Sequence, residues 1–434
     1  MRLARKAVGS NRAPGEVLLL LDARAAALGL PGPAALTGRW FSSGAVLAPT
    51  VGLAPPADPF ENLTRQPAIT GAAAGAVGGG WFGYLAYDLT DPSGRTGALP
   101  KTLWGWADHV LRLDDRGVWW FEALVPDGEE PPDAAEFEGL LTLETPKFSW
   151  TPAKLDRPLA AGHRDAVKAC VHAIEAGELF QANICTRFTG AFDGSPAALF
   201  AEGTRTLRPR RAAYLAGDWG TVVSLSPELF LARHGDRVFS TPIKGTLPRR
   251  GPQDEHLRQA LRESMKDVAE NVMITDLVRN DLGRVCAVGS VKVPDLLRVR
   301  PAPGVWHLES TVEGRLTGTD ADLLRATFPP GSVTGAPKIR ALEEIAELER
   351  CARGVYTGAI GLASPIAGLE LNVAIRTFEL YGGQIALGVG GGITADSDPD
   401  AEYAECLHKA APLESLLRQG AWGLGVTPPE GAEG

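Results

Sequence analysis

The stretch Leu369–Ile393, LELNVAIRTFELYGGQIALGVGGGI, decides the fold class. Its apolar and β-branched runs are divided by Tyr381-Gly382-Gly383, and a glycine turn between two such runs reads as antiparallel strands. Upstream, GTVVSLSPELFLARHGDRVFSTPI (220–243) repeats the pattern as a hairpin, with His234-Gly235-Asp236 at its turn. RGVYTGAIGLA (353–363) and QANICTRF (181–188) read as further strands, as do GAVGGGWFGYLAYDL (75–89) and GVWWFEALV (117–125). Helical periodicity is confined to other places. Val167, Cys170, Val171 and Ile174 recur at helical spacing before Gly177, residues 254–278 read as one long helix, and 400–417 as a last one. Strands and helices therefore lie in separate patches. Such segregation implies an α+β fold with antiparallel sheets and not a doubly wound one.

The 434 residues suffice for two or three domains, or for one large fold with insertions. Residues 1–150 form a β-rich region closed by the loop 126–136. ETPKFSWTPAKLDRP (144–158), with three prolines, reads as a linker, 155–420 as the catalytic region, and 424–434 as a disordered tail. VLLLL (17–21) follows Arg2, Arg5, Lys6 and Arg12 but is bracketed by Glu16 and Asp22. A buried strand fits it better than an export signal. A formal net charge of −9 argues against nucleic acid as the main partner, and no apolar run is long enough to span a bilayer. Five scattered cysteines without a CxxC pair point to a reduced, cytoplasmic protein.

Two helices carry paired acids. Asp267 and Glu270 are three residues apart, as are Glu402 and Glu405, with Lys409 four residues further on. Residues so spaced lie about 60° apart on one helical face. Opposite stripes, Val268 with Val272 and Leu407 with Ala411, are apolar. Each acidic stripe is either a solvated face or half of a magnesium site, which wants hard oxygen ligands. Gly388, Gly390, Gly391 and Gly392 expose backbone N–H groups that suit an anion. Arg376 alternates with apolar neighbours and needs an anionic partner, either a protein acid or a ligand carboxylate. Ser332, Thr334 and Gly335 precede a helix start, another place for an anion. Lys244, in STPIKGTLPRR (240–250), stands between Ile243 and a glycine at the end of an extended run.

Together these strings resemble the chorismate-utilising enzymes: anthranilate synthase component I, aminodeoxychorismate synthase component I, and the isochorismate and salicylate synthases. LFQANICTRF, SLSPELF, PIKGTLPR, KDVAENVMITDLVRNDLGRV, HLESTVEG, FPPGSVTGAPK, YTGAIG, NVAIRTF and GVGGGITADSDPDAEYAECLHKA carry the resemblance, strongest from 160 to 415. It implies large antiparallel sheets forming a sandwich-like core with helices packed outside. It implies Mg2+ held directly by Glu270 and Glu405 and through water by Asp267 and Glu402. Arg376, Tyr356, Ser332, Lys409 and the backbone of Gly390, Gly391 and Gly392 match substrate-carboxylate contacts. Gln181 and Thr246 also match substrate-site positions, His307 lies near the ring, and Glu228 matches the general acid/base at the C4 hydroxyl. DLVRNDLGR yields no chemical role for Asn280 or Asp281 beyond anchoring a buried loop.

Two positions sort the family. Where Gln181 stands, the water-adding members carry a lysine that activates water, and a glutamine is no such base. Where Lys244 stands, anthranilate enzymes carry alanine and aminodeoxychorismate synthases carry PIKGT, as here. The resemblance thus implies a Lys244 nucleophile and amination of chorismate at C4 to 4-amino-4-deoxychorismate, a precursor of 4-aminobenzoate. Anthranilate synthase component I is the alternative, weakened by the lack of an LLES-like string near EVLLLLDARAA. A non-catalytic ligand-binding relative is a third reading, opposed by the intact acids. No cysteine lies in a Gly-flanked elbow, so the ammonia is expected from a separate glutamine amidotransferase subunit.

Overall fold

The computed structural model describes residues 1–420, so the proposed tail 424–434 lies outside them. The N-terminal third runs β1 (Arg2–Val8), α1 (Pro14–Leu28), β2 (Ala34–Trp40), β3 (Ser43–Ala48), β4 (Gly80–Leu85), β5 (Thr102–Ala107), β6 (His109–Leu113), β7 (Trp119–Val125) and α2 (Ala134–Leu140). There follow α3 (Ala160–Glu175), β8 (Gln181–Ala191), α4 (Pro196–Leu207), β9 (Arg211–Gly217), β10 (Gly220–Ser226), β11 (Leu229–His234), β12 (Arg237–Thr241) and β13 (Ile243–Pro248). Next come α5 (Glu255–Glu263), α6 (Met265–Gly283), β14 (Lys292–Ala302), β15 (Val305–Arg315), α7 (Asp320–Thr327), β16 (Gly335–Ala336) and α8 (Lys338–Leu348). The chain closes with β17 (Ala359–Ser364), β18 (Gly368–Val373), β19 (Thr377–Tyr381), β20 (Gln384–Ile393) and α9 (Pro399–Leu417).

Eleven strands form one sheet in the order β1-β7-β6-β3-β2-β9-β10-β19-β20-β8-β16. Nine form the other, β13-β15-β12-β11-β18-β17-β4-β5, with β14 added on β15. Neighbouring strands such as β19 and β20, β20 and β8, and β13 and β15 pair antiparallel. Leu36, Val46 and Val222 of the first sheet pack on Phe82, Tyr84 and Leu362 of the second, so the sheets face each other. Leu19 of α1, Phe200 of α4 and Leu413 of α9 cover the outer face of the first, against Phe188 and Leu387. Ile274 and Leu282 of α6, with Leu324 of α7, cover the outer face of the second, against Leu231 and Leu371. The fold is α+β, with the helices outside a sandwich of antiparallel sheets. Residues 1–150 and 155–420 contribute strands to both sheets. No helix among the described residues is long and apolar enough to cross a membrane.

Gly220–Ile243 is more than a hairpin. The chain ends β10 in the first sheet at Ser226 and begins β11 in the second at Leu229. It makes the reverse crossing between Val373, the end of β18, and Thr377, the start of β19. The two crossings lie side by side: Val373 N–H donates to Glu228 O at 3.1 Å, and Leu225 N–H to Arg376 O at 3.0 Å. Arg376 is therefore not inside a strand; it turns the corner with φ +51°. The Tyr-Gly-Gly turn joins β19 to β20 through Gly382 (φ +58°) and Gly383 (φ +76°), the two positive angles that a tight hairpin demands.

Local reading failed at four places. VLLLL is the first half of helix α1, not a strand. Pro14 opens it, Glu16 accepts the Ala13 N–H at 2.8 Å, and Gly29 closes it in the left-handed region. All five apolar residues are buried, so periodicity carried no signal. Residues 254–278 hold two helices, because Ser264 leaves the helical region (ψ 105°) and accepts the Asp267 N–H as the N-cap of α6. The loop 126–136 turns helical at Ala134, which Asp133 caps. The linker 144–158 is pinned to the body, with Trp150 and Leu155 in the core and Trp150 N–H donating to Gly420 O at 2.9 Å.

Candidate active site

The end of β20 forms the floor of the site. A Cβ built on Gly392 would stand 2.5 Å from Gln181 Nε2, 2.9 Å from Lys244 Nζ and 3.0 Å from Glu270 Oε2. One on Gly391 would stand 3.1 Å from Glu402 Oε2, 3.6 Å from Glu405 Oε1 and 3.8 Å from Lys409 Nζ. Two adjacent glycines thus leave room over which β8, β13, α6 and α9 each extend a polar side chain. One acid of each pair turns inward, Glu270 and Glu402 being buried, while Asp267 is half-buried and Glu405 half-exposed. The opposite stripes are mixed: Val272 and Ala411 are exposed, whereas Val268 packs against Trp306 and Leu308 and Leu407 against the core under α9.

Lys244 owes its direction to a bulge. The β13–β15 register shifts between Ile243 and Thr246, across Lys244 and Gly245. Gly245 has φ +84°, and a Cβ there would meet Leu261 Cδ1 at 2.9 Å and Asp267 Cβ at 3.0 Å. A glycine in the left-handed region is what lets the strand bend against α6 and re-aim the lysine. Its Nζ then lies 3.3 Å from Glu270 Oε2. Glu405 pairs with Lys409 at 2.7 Å, and Lys409 also donates to Gly390 O at 2.8 Å. Burial pushes the Glu405 carboxyl up, but Lys409, Lys266 and Lys244 together outweigh it and hold it below its ordinary value.

The strand crossings supply the other wall. Burial pushes the Glu228 carboxyl up to about 7, against the opposing pull of Ser332 and Lys244. Across from it, Arg376 makes no ion pair among the described residues, and Glu228 is the charge that offsets part of its burial. That disposes of a protein acid as its partner at contact distance. His307 of β15 is buried, and burial, aided by Arg376 and Arg210, pushes its pKa down to about 3. Thr246 Oγ1 lies 2.9 Å from His307 Nδ1.

Three sequence candidates do not open onto the floor. Thr334 is 1% exposed and spends its hydroxyl on Pro330 O at 3.1 Å. Gly335 pairs with Ala182 on β8. Tyr356 is buried with its ring where a Gly388 side chain would be, its hydroxyl 3.9 Å from Cys185 Sγ. Asp281 is in helix α6, not a loop, and pairs with Lys338 at 2.6 Å; Asn280 is exposed. Two charged residues went unnoticed in the sequence. Arg353, 3% exposed, donates to Glu349 and to the carbonyls of Val333 and Asn183, tying the Ser332 segment to β8. Lys266 pairs with Glu402 at 2.9 Å. Neither has a local signal, since both lie where any helix or loop carries a cation.

Comparison with known proteins bears on the chain as a whole. Residues 50–415 match the family model described as chorismate binding enzyme. The chain belongs to the chorismate-binding enzymes. Within them, it is 46% identical over 348 residues to aminodeoxychorismate synthase component 1 of Klebsiella aerogenes, spanning 76% of this chain and 75% of that one. It is 38% identical to the protein of the same name from Salmonella typhimurium, over the same shares of each. Among solved chorismate-binding enzymes, anthranilate synthase component I of Streptococcus pneumoniae superposes with a TM-score of 0.72 at 25% identity, covering 96% of this chain and 92% of that one. The menaquinone-specific isochorismate synthase of Escherichia coli shares the fold, with a TM-score of 0.74 at 20% identity over 96% and 94%.

Proposed function

We propose that this enzyme aminates chorismate at C4, giving 4-amino-4-deoxychorismate and water, with Lys244 as a transient covalent nucleophile. The observation that carries the reading is Lys244 itself: a bulge aims its amine at the glycine floor, among Gln181, Glu270 and Glu228. Relatives named aminodeoxychorismate synthase component 1, at 38% and 46% identity, support the same product.

Arg376 and Ser332, with Lys409 and the Gly390–Gly392 backbone, receive the two carboxylates of the substrate. A Glu pKa of about 7 leaves a large protonated fraction at neutral pH. Lys244, after losing its proton, attacks C2. The ring double bonds shift, the C4–O bond breaks, and Glu228 delivers the proton that makes the leaving hydroxyl water. The new C2 ammonium returns one proton to Glu228. Ammonia then attacks C4, the double bonds shift back, and the C2–N bond breaks as its nitrogen takes up a proton that the new C4 ammonium gives up, so the lysine returns as an amine and C4 carries an amino group. Two easier displacements replace one hard one. His307 stays neutral, and with Thr246 donating to Nδ1 its Nε2–H is the donor offered to the ring. Gln181 is no base, so water is not activated at its position.

The residues present suit Mg2+. Glu402 Oε2 is buried without a partner and, with Glu405 over Gly391 and Glu270 over Gly392, offers hard carboxylate oxygens to one space. Such a donor set suits an ion that takes one or two carboxylates and keeps water and substrate oxygens. Glu270 and Glu405 would hold it directly, Asp267 and Glu402 through water; when bound it supplies neutralisation of the ring carboxylate and withdrawal of ring electron density. The ammonia is read as the product of a separate glutamine amidotransferase subunit, in line with the "component 1" in the relatives' names. The product is a precursor of 4-aminobenzoate.

Mass spectrometry of enzyme quenched during turnover with chorismate, Mg2+ and ammonium tests the reading. A ring adduct on the peptide holding Lys244 is expected. Its absence, together with full activity of Lys244→Ala, overturns the nucleophile. Anthranilate as the product, visible by fluorescence, would favour the second reading, to which a 35% identical Thermus thermophilus relative named anthranilate synthase component 1 lends support.

A further inference from the structure

Among the described residues a single ion pair joins α6 to α9 across the cleft, Lys266 Nζ to Glu402 Oε1 at 2.9 Å. Glu402 is 2% exposed, and Oε1 also accepts from Ser397 Oγ at 2.6 Å. Both donors fall on one oxygen. The other, Oε2, is buried, has no partner and faces the space above Gly391. The arrangement repeats: Glu270 carries Lys244 and Glu405 carries Lys409. With Asp267, four carboxylates confront three ammonium groups on this side of the cleft, so the acids there hold little net negative charge, apart from Glu228 and Arg376 on the opposite wall. Lys244 and Lys409 serve the reaction proposed above. Lys266, at the half-open rim, has no part in it.

We propose that Lys266 is a resident counter-cation that makes divalent-cation binding depend on the dianionic substrate. The inference rests on the Mg2+ reading of this cleft. While Lys266 neutralises Glu402, a free divalent cation meets a nearly balanced site and binds weakly. Two incoming carboxylates shift that balance, and the same ammonium attracts them. Coupling of this kind is reciprocal, each ligand raising the affinity of the other by the same factor. Ser397 keeps Glu402 oriented when the lysine is replaced, so Lys266→Met removes charge without freeing the carboxylate.

The test is calorimetry on the full chain. MgCl2 is titrated without substrate, then with chorismate present and ammonia withheld; chorismate is titrated in EDTA. Lys266→Met is expected to bind Mg2+ alone at least ~3-fold more tightly, as removal of one like charge at a screened site allows. It is expected to bind chorismate in EDTA more weakly, and to show a smaller Mg2+–chorismate coupling factor. Loss of structure would weaken both ligands, so opposite signs separate the two explanations. Ser397→Ala, which loosens Glu402 but keeps the charge, is expected to weaken Mg2+. Equal or weaker Mg2+ binding by Lys266→Met, with the wild type binding normally, overturns the counter-cation. No Mg2+ binding by the wild type, with or without chorismate, overturns the cation reading and the inference with it.

Discussion

In the proposed reaction Glu228 joins chemistry and stability in one carboxyl. Its folded pKa of about 7 lies above the unfolded value of 4.5, so the folded state holds the proton more tightly between them. Stability therefore falls as pH rises through that window, and the cost is fully present above 7. Glu228→Gln, always neutral, is expected to melt at a higher temperature than wild type at pH 8, the difference vanishing towards pH 4.5, by scanning calorimetry. The same substitution should lower kcat by roughly 10²–10⁴-fold. In the wild type kcat/KM should fall with rising pH through about 7. Arg376 follows a similar logic. A partly buried guanidinium with no ion-pair partner among the described residues waits for an anion. Arg376→Gln should raise KM for chorismate at least ~10-fold, the scale of a lost charged hydrogen bond, without lowering the melting temperature. The need for an anion was legible in NVAIRTF. That the arginine turns a corner between two sheets was not, because the string alternates as a strand would.

At the scale of elements, the site depends on where segments break. Gly245→Ala places a side chain at φ +84° against Leu261 and Asp267. A loss of about 1–3 kcal/mol is expected in urea unfolding, with kcat reduced because the bulge no longer aims Lys244. Ser264→Ala removes the N-cap of α6 and should cost about 1 kcal/mol in the same measurement. The paired acids at helical spacing could be read directly from the chain, since period decides which residues share a face. Which face is buried could not. α6 is covered on more than one side: Ile274, Val278 and Leu282 enter the core, Val268 packs against Trp306 and Leu308, and Glu270 turns to the glycine floor. A helix enclosed in this way does not disclose by its period which face meets which neighbour. VLLLL and the 254–278 run failed for a related reason: the first half of α1 is buried all round and shows no polar face, and one serine between two helical runs is a weak local mark.

At the scale of the molecule, two interleaved sheets bring the cleft together. The first 150 residues give β1–β3, β6 and β7 to one sheet and β4 and β5 to the other. The fragment 155–420 alone would expose the edges of β9 and β17, where β2 and β4 belong. It is expected to show no cooperative thermal transition by circular dichroism, whereas the full chain shows one. By itself the sequence determined the secondary-structure types over most of the chain, the antiparallel α+β class, the acid pairs and the placement of a lysine before a glycine. Periodicity and turn chemistry are local, so they survive in the string. Only the tertiary structure decided that Glu228 and Arg376 meet at paired crossings, that Lys244 faces Gly392, and that Lys266 reaches Glu402. Those placements bring together residues up to 148 positions apart, as with Lys244 and Gly392. Their partners are chosen by sheet order and burial, which no local pattern encodes.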